Sequence, residues 1–217
     1  MTPRVVDIYH GDLVGGRGPA LEGFVAAANA GIWGVIHKAS QGVSIRDRRY
    51  ASRRPAAIQA GLLWGAYHFN SGNPVAKQVD WFMQCADPDE STLMVLDYED
   101  NKHSQMRPEA MVEFLHIIEE KLGRKATIYS GNRMKETIRY LNKADRAYVC
   151  AHRLWLCQYG PRAKLPPGWN DYWLWQYTGD GIGPSPHYVP GITVPGGRGI
   201  DLNVYNGTHA QLKKEWA

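Results

Sequence analysis

Asp97 and Glu99 stand two apart behind the apolar run Leu93-Met94-Val95-Leu96. On an extended chain, side chains two apart share a face, so both carboxyls point one way and Tyr98 points the other. An acid pair behind such a run is drawn toward low dielectric, and burial and a like-charged neighbour both raise a carboxyl pKa. One of the two is then expected to hold its proton near neutral pH beside an ionised partner. Glycosidic cleavage needs that combination: the acid protonates the leaving oxygen, and the anion stabilises positive charge at the sugar carbon. A single buried acid would read better as a helix cap or a partner for arginine. Asp7 and Asp201 weigh against that reading, because they too lie in or beside apolar runs. Four acids aimed at one mouth repel one another, a cost that points to use.

The elements that must position these acids follow from the hydropathy pattern. Strands are expected over 5–9, 34–38, 63–69, 93–99, 126–129, 154–158, 172–177 and 199–202, about the number that closes a small barrel. Helical segments lie between the first five. Leu21, Phe24, Val25 and Ala28 share one face of the first, and Val79, Phe82 and Met83 share one in the segment that begins near Pro74. The clearest helix has Pro108 at its first position, a stripe of Met111, Val112, Leu115, Ile118 and Leu122, and Gly123 to end it. A further one is plausible over 132–141. Strand–helix alternation indicates an α/β fold with a parallel barrel. Beyond Leu154 the connections 160–171 and 178–198 are rich in Gly and Pro without helical period, so the closure departs from the regular eightfold form. Such barrels carry catalytic groups at the C-terminal ends of their strands. Strands one and eight are neighbours on closure, which should bring Asp7 and Asp201 together. The chain reads as one catalytic domain over residues 1–217.

Composition narrows the function classes. With 44% hydrophobic and 21% charged residues the chain can bury a sizeable core. Its 8 Trp and 12 Tyr serve that core and can also stack on sugar rings. The net charge of +4 favours approach to an anionic polymer such as a bacterial wall. Arg46, Arg48, Arg49, Arg53 and Arg54 form the densest basic stretch, read as a solvated helix face in preference to a nucleic-acid patch. Cys85, Cys150 and Cys157 lack disulfide or metal spacing and read as reduced thiols. His37 and His68 are expected to be hydrogen-bonded in the barrel, with no paired spacing for zinc. No metal, cofactor, nucleic acid or membrane insertion is therefore expected, and a monomer is the default. The first residues lack the apolar stretch of a signal peptide, which suggests synthesis in the cytoplasm and action on the wall after lysis or another route of export.

At this point the residues match a known pattern. Val5-Val6-Asp7-Ile8-Tyr9-His10-Gly11, Ile36-His37-Lys38-Ala39-Ser40-Gln41-Gly42, Gly65-Ala66-Tyr67-His68-Phe69 and Leu96-Asp97-Tyr98-Glu99 occur in order. Ile128-Tyr129-Ser130, Leu154-Trp155-Leu156, Leu174-Trp175-Gln176-Tyr177-Thr178 and Ile200-Asp201-Leu202-Asn203 follow. This ordered set covers nearly the whole chain and resembles glycoside hydrolase family 25, the Chalaropsis-type lysozymes. The resemblance implies a modified TIM-like barrel of five β/α units followed by three strands with few helices. It implies hydrolysis, with net retention, of the β-1,4 bond from N-acetylmuramic acid to N-acetylglucosamine in peptidoglycan. By position it makes Glu99 the general acid/base, Asp97 the second acid, and Asp7 and Asp201 the supporting acids. It further implies a substrate-assisted path, in which the 2-acetamido oxygen attacks and Asp97 orients that group. Tyr67, Tyr129, Trp175 and Gln176 match positions near the family's cleft, although packing inside the barrel also accounts for each singly. The loop 179–198 is longer and richer in Pro and Gly than the resemblance leads one to expect.

Other readings are a hydrolase of a different N-acetylated glycan, chitinase-like, and a non-catalytic glycan-binding barrel. A chitinase usually shows a longer Asp-rich run before its Glu, and loss of one acid would favour a binding barrel. All four acid positions are filled here.

Overall fold

The computed structural model describes residues 2–217. Eight strands close a barrel: β1 (Arg4–Ile8), β2 (Ile32–Gln41), β3 (Leu63–Phe69), β4 (Leu93–Asp97), β5 (Thr127–Ser130), β6 (Leu154–Cys157), β7 (Leu174–Thr178) and β8 (Asp201–Tyr205). Seven α-helices occur among the described residues. The first six are α1 (Ala20–Asn29), α2 (Tyr50–Gln59), α3 (Val75–Ala86), α4 (Pro108–Leu122), α5 (Asn132–Thr137) and α6 (Lys143–Cys150). They complete five β/α units, after which β6, β7 and β8 follow without an α-helix between them; α7 (His209–Glu215) comes last. None of these helices is long and apolar enough to cross a membrane.

The helical pattern reaches the structure with changes: the helix expected over 132–141 ends at Thr137 in a 3-10 turn, and α6 lies beyond the expected segments. In α4, Met111, Val112, Leu115 and Ile118 are buried, and Gly123, at φ 68°, ends the helix with its N–H on the Glu119 carbonyl. In α1 the buried face is Gly23, Phe24 and Ala27, while Val25, expected on that face, points outward.

The closure corrects the expectation of a parallel barrel. Strands β1 to β7 run parallel in sequence order, but β8 is antiparallel to both β7 and β1. The cause lies in the connection after β7. Its residues Ile192–Thr193 pair with Leu13–Val14 in the loop that follows β1, which keeps the chain at the mouth. No helix carries it back to the bottom, so the last strand enters from the mouth and runs down. The strand also begins at Asp201 and continues to Tyr205, later than the 199–202 expected.

Val5, Ile36, Leu93, Val95 and Trp155 form an inner apolar cluster with Leu212 and Trp216, distinct from the larger layer between barrel and helices. Trp216 follows α7 and donates from Nε1 to the Trp64 carbonyl at 2.8 Å. Gly34 makes room for it, since a Cβ there would stand 2.7 Å from Trp216 Cη2. Trp216→Ala should therefore lower stability by about 3 kcal/mol in urea unfolding, the cost of emptying a well-packed aromatic site. A loss below about 1 kcal/mol would show that the bottom closes without the ring.

Candidate active site

Asp97 ends β4 and is 5% exposed, while Glu99, two residues on, is half-buried. The segment between them is clamped from both sides. Buried Asn70, just after β3, donates from Nδ2 to the carbonyls of Asp97 and Glu99 at 2.9 Å each. From β5 the Tyr129 carbonyl accepts the Tyr98 N–H, and Ser130 Oγ donates to the Tyr98 carbonyl at 2.6 Å. Tyr98 turns outward into the layer under the helices, with its hydroxyl near Thr137 and Arg133 over its ring. The two carboxyls consequently face one cavity of about 400 Å³, whose lining also includes Asp7, Tyr67, Tyr129 and Asp201.

Asp7 and Asp201 face each other directly across the β1–β8 ladder. The antiparallel sense of β8 matters here, because it puts the first residue of that strand at the mouth. Asp7 is held inside the barrel by side chains of β7 and β8. Gln176 Nε2 donates to its two oxygens at 3.1 and 3.0 Å, and Asn203 Nδ2 donates to it at 2.7 Å. Gln176 Oε1 in turn accepts from the Tyr129 hydroxyl at 2.7 Å, and Asn203 Oδ1 accepts from Trp155 Nε1 at 2.6 Å.

Burial dominates the electrostatics. It pushes the Asp7 pKa up to about 7 against the opposing hydrogen bonds from Asn203 and Gln176, with the charges of Asp12 and Glu99 adding to the rise. Asp201 is pushed up to about 9, by burial first and then by Asp7 and Asp180, while a backbone bond from Asp180 pulls it down. Asp97 is held well above the usual carboxyl range by burial and by Glu99, with Lys38 opposing. Glu99 is also raised, by burial first; a hydrogen bond from Cys157 opposes and Asp100 adds to the rise. Burial therefore favours the protonated form of all four carboxyls, and Glu99 is the more accessible of the β4 pair. Asp97 Oδ1 receives no hydrogen bond from any described protein group.

Among the expected contact residues, Tyr67 and Tyr129 line the cavity. Gln176 is 1% exposed, with both ends of its amide engaged by Asp7 and Tyr129, so it ties the barrel together beneath the cavity. Trp175 is not brought to the cavity. Alternation along β7 sends it to the outer face, where Nε1 donates to the Gln158 carbonyl at 2.7 Å and the ring packs near Tyr172 and Tyr177. His37 and His68 also lie outside the barrel, each with two polar partners. His37 bonds the Lys38 carbonyl and Arg53, and His68 bonds Ser40 and Gln78.

Sequence reasoning missed several residues. Cys157, Tyr159 and Asp180 line the same cavity, and Asp12 joins Asp7 and Asp201 in an adjoining one. Asp180-Gly181 is a tight-turn signal, and both residues have positive φ. That turn could have been found, but not its place over the mouth. Gly179 beside it admits the close approach of Asp201 and Tyr159, whose oxygens would clash with a Cβ there.

A barrel whose mouth gathers buried carboxyls from separate strands has the framework of the glycoside hydrolases. The chain belongs to glycosyl hydrolases family 25, whose model matches residues 9–185. The uncharacterised protein YegX of Escherichia coli is 29% identical over 182 residues, 81% of this chain and 60% of its own length. Lysozyme M1 of Streptomyces globisporus is 26% identical over 85% of this chain and 63% of its own length. The chain thus spans about 60% of the length of these curated relatives. The solved muramidase of Trichobolus zukalii superposes with a TM-score of 0.78 at 26% identity, covering 99% of this chain and 98% of that one.

Proposed function

We propose that this enzyme is a muramidase, hydrolysing the β-1,4 bond between N-acetylmuramic acid and N-acetylglucosamine in bacterial peptidoglycan with net retention. The observation that carries this reading is the delivery of Asp97 and Glu99 from one strand end into one acid-lined cavity. Lysozyme M1 and the Trichobolus zukalii muramidase, by their names, agree with it. Glu99, half-buried with a raised pKa, protonates the leaving oxygen and then takes a proton from water. Asp97 lies deeper on the same face, a position that suits holding the substrate's 2-acetamido N–H on its unpartnered Oδ1 while the acetamido oxygen attacks the sugar carbon. Asp7 and Asp201 line the site beside this pair, and Tyr67 and Tyr129 shape the wall against the sugar.

The decisive experiment digests purified peptidoglycan and identifies the new reducing end. Muramic acid there is the expected result; glucosamine would overturn the assignment, and cleavage of chitin alone would point to a chitinase-like enzyme. Mass spectrometry of the enzyme during turnover is expected to show no sugar attached to Asp97. A trapped glycosyl ester at that residue would replace the acetamido path with direct attack.

A further inference from the structure

The basic stretch 46–54 does not stay together in space. Arg46 lies over the Trp81 ring, and Arg54 pairs with Asp89 at 2.6 Å. Arg53 is buried and donates to the carbonyls of Tyr9 and Asp12. Arg48 and Arg49 are left exposed, and Arg17 joins them from the loop after β1. Among the described residues, none of these three guanidinium groups has a protein hydrogen-bond acceptor or an ion-pair partner. Together they line a cavity of about 420 Å³ beside the first turn of α2.

Nearby acids cancel this charge only in part. Asp47 is occupied by the His10 and Arg49 backbone N–H groups and the His10 ring, and Asp12 by the Tyr9 N–H. Both act electrostatically on buried Arg53, which sets one positive charge against them. Exposed Glu22, beside Gly18 on the rim, is the remaining acid. Gly11 and Asp12 line both this cavity and the one that contains Asp7 and Asp201, so the arginine cavity neighbours the acid-lined mouth. The lining therefore changes from buried carboxyls, with Arg198 beside them, to three exposed guanidinium groups beyond Asp12.

We propose that the cavity lined by Arg17, Arg48 and Arg49 is a subsite for the carboxylates on the peptide stems of the wall glycan, and that it sets the direction in which a strand lies across Glu99. This rests on the muramidase reading. A sugar spine without charge can enter the buried centre, where desolvation disfavours a carboxylate, whereas its anionic appendages can remain partly solvated against the exposed guanidinium groups. Guanidinium groups suit that ligand because their planar donor fork matches a carboxylate. Charge placed on one side of the site selects orientation more than raw affinity.

The test compares wild type with R17Q/R48Q/R49Q on soluble glycan strands freed of teichoic polymers, with stem peptides intact, or enzymatically removed and the lactyl carboxylates so exposed capped as methyl amides. The triple variant is expected to lose about tenfold in kcat/KM on peptide-bearing strands and less than about twofold on stripped ones, the scale of a few exposed ion pairs. Raising salt from about 50 to 300 mM should narrow the wild-type preference for peptide-bearing strands. Equal losses on both substrates, or none on either, would overturn the proposal. So would an effect that appears only when teichoic polymers are present, since it would assign the pocket to phosphate. Calorimetric binding of the same two strand preparations separates the two readings. If wild type cleaves neither preparation, the muramidase reading fails, yet peptide-dependent binding lost in the triple variant would still support the arginine subsite, and its absence would overturn it.

Discussion

Glu99→Gln is expected to lower kcat/KM on peptidoglycan by at least about a hundredfold, the scale of general acid catalysis by a positioned carboxyl. The amide keeps the size of the side chain, so the clamps from Asn70 and Ser130 on the neighbouring backbone remain. What disappears is a proton acidic enough to pass to the leaving oxygen. A substrate with an activated aryl leaving group needs that proton least and should recover much of the first-step rate. Asp97→Asn should behave differently, because a group that orients the acetamido is needed whatever leaves. Its loss should persist on the activated substrate. The pH profile carries a further sign: burial raises Glu99 above the ordinary range, so activity should fall as pH climbs through that raised value. A Glu99→Gln enzyme that keeps more than about a tenth of wild-type activity would remove Glu99 from the acid role.

The acid cluster should also trade stability for function. Asp201 is raised from 3.8 to about 9 in the folded chain, so between those values the native state holds a proton that the unfolded state releases. Stability from this group is full below the unfolded value and is lost as pH rises through the folded one. Asp7, raised to about 7, acts in the same direction over a narrower window. His37, His68 and His152 act the other way, each lowered to about 4 by burial, so their contribution is present above about 6.5 and lost as pH falls. Above neutrality the raised acids therefore govern this balance. Asp201→Asn should raise Tm by on the order of 5 °C at pH 9 and give little gain at pH 4, with lower activity throughout. Thermal melts of the two proteins across this range would check it. A difference that does not grow with pH would mean that Asp201 is not held protonated by the fold.

The strand pattern and the β4 acids were legible because they depend on local geometry. Alternation with period two places Asp97 and Glu99 on one face and Tyr98 on the other wherever that strand lies. The same rule separates Trp175 from Gln176, adjacent residues that the family pattern had suggested for one cleft. The apolar stripe of α4 and the glycine that ends it are likewise properties of a short stretch of chain. Local sequence could not supply the sense of β8, since that follows from Ile192–Thr193 pairing with Leu13–Val14 far away in the chain. Nor could it place Asp12, Tyr159 and Asp180 around the barrel mouth, because loops deliver them, or separate Arg48 and Arg49 from the neighbouring arginines held by Trp81, Asp89 and backbone carbonyls. The amino-acid sequence determined that an acid pair would share one face at the end of a buried strand. Only closure of the barrel decided which other charges that pair would meet, because burial and Coulomb forces act through space and take no account of distance along the chain.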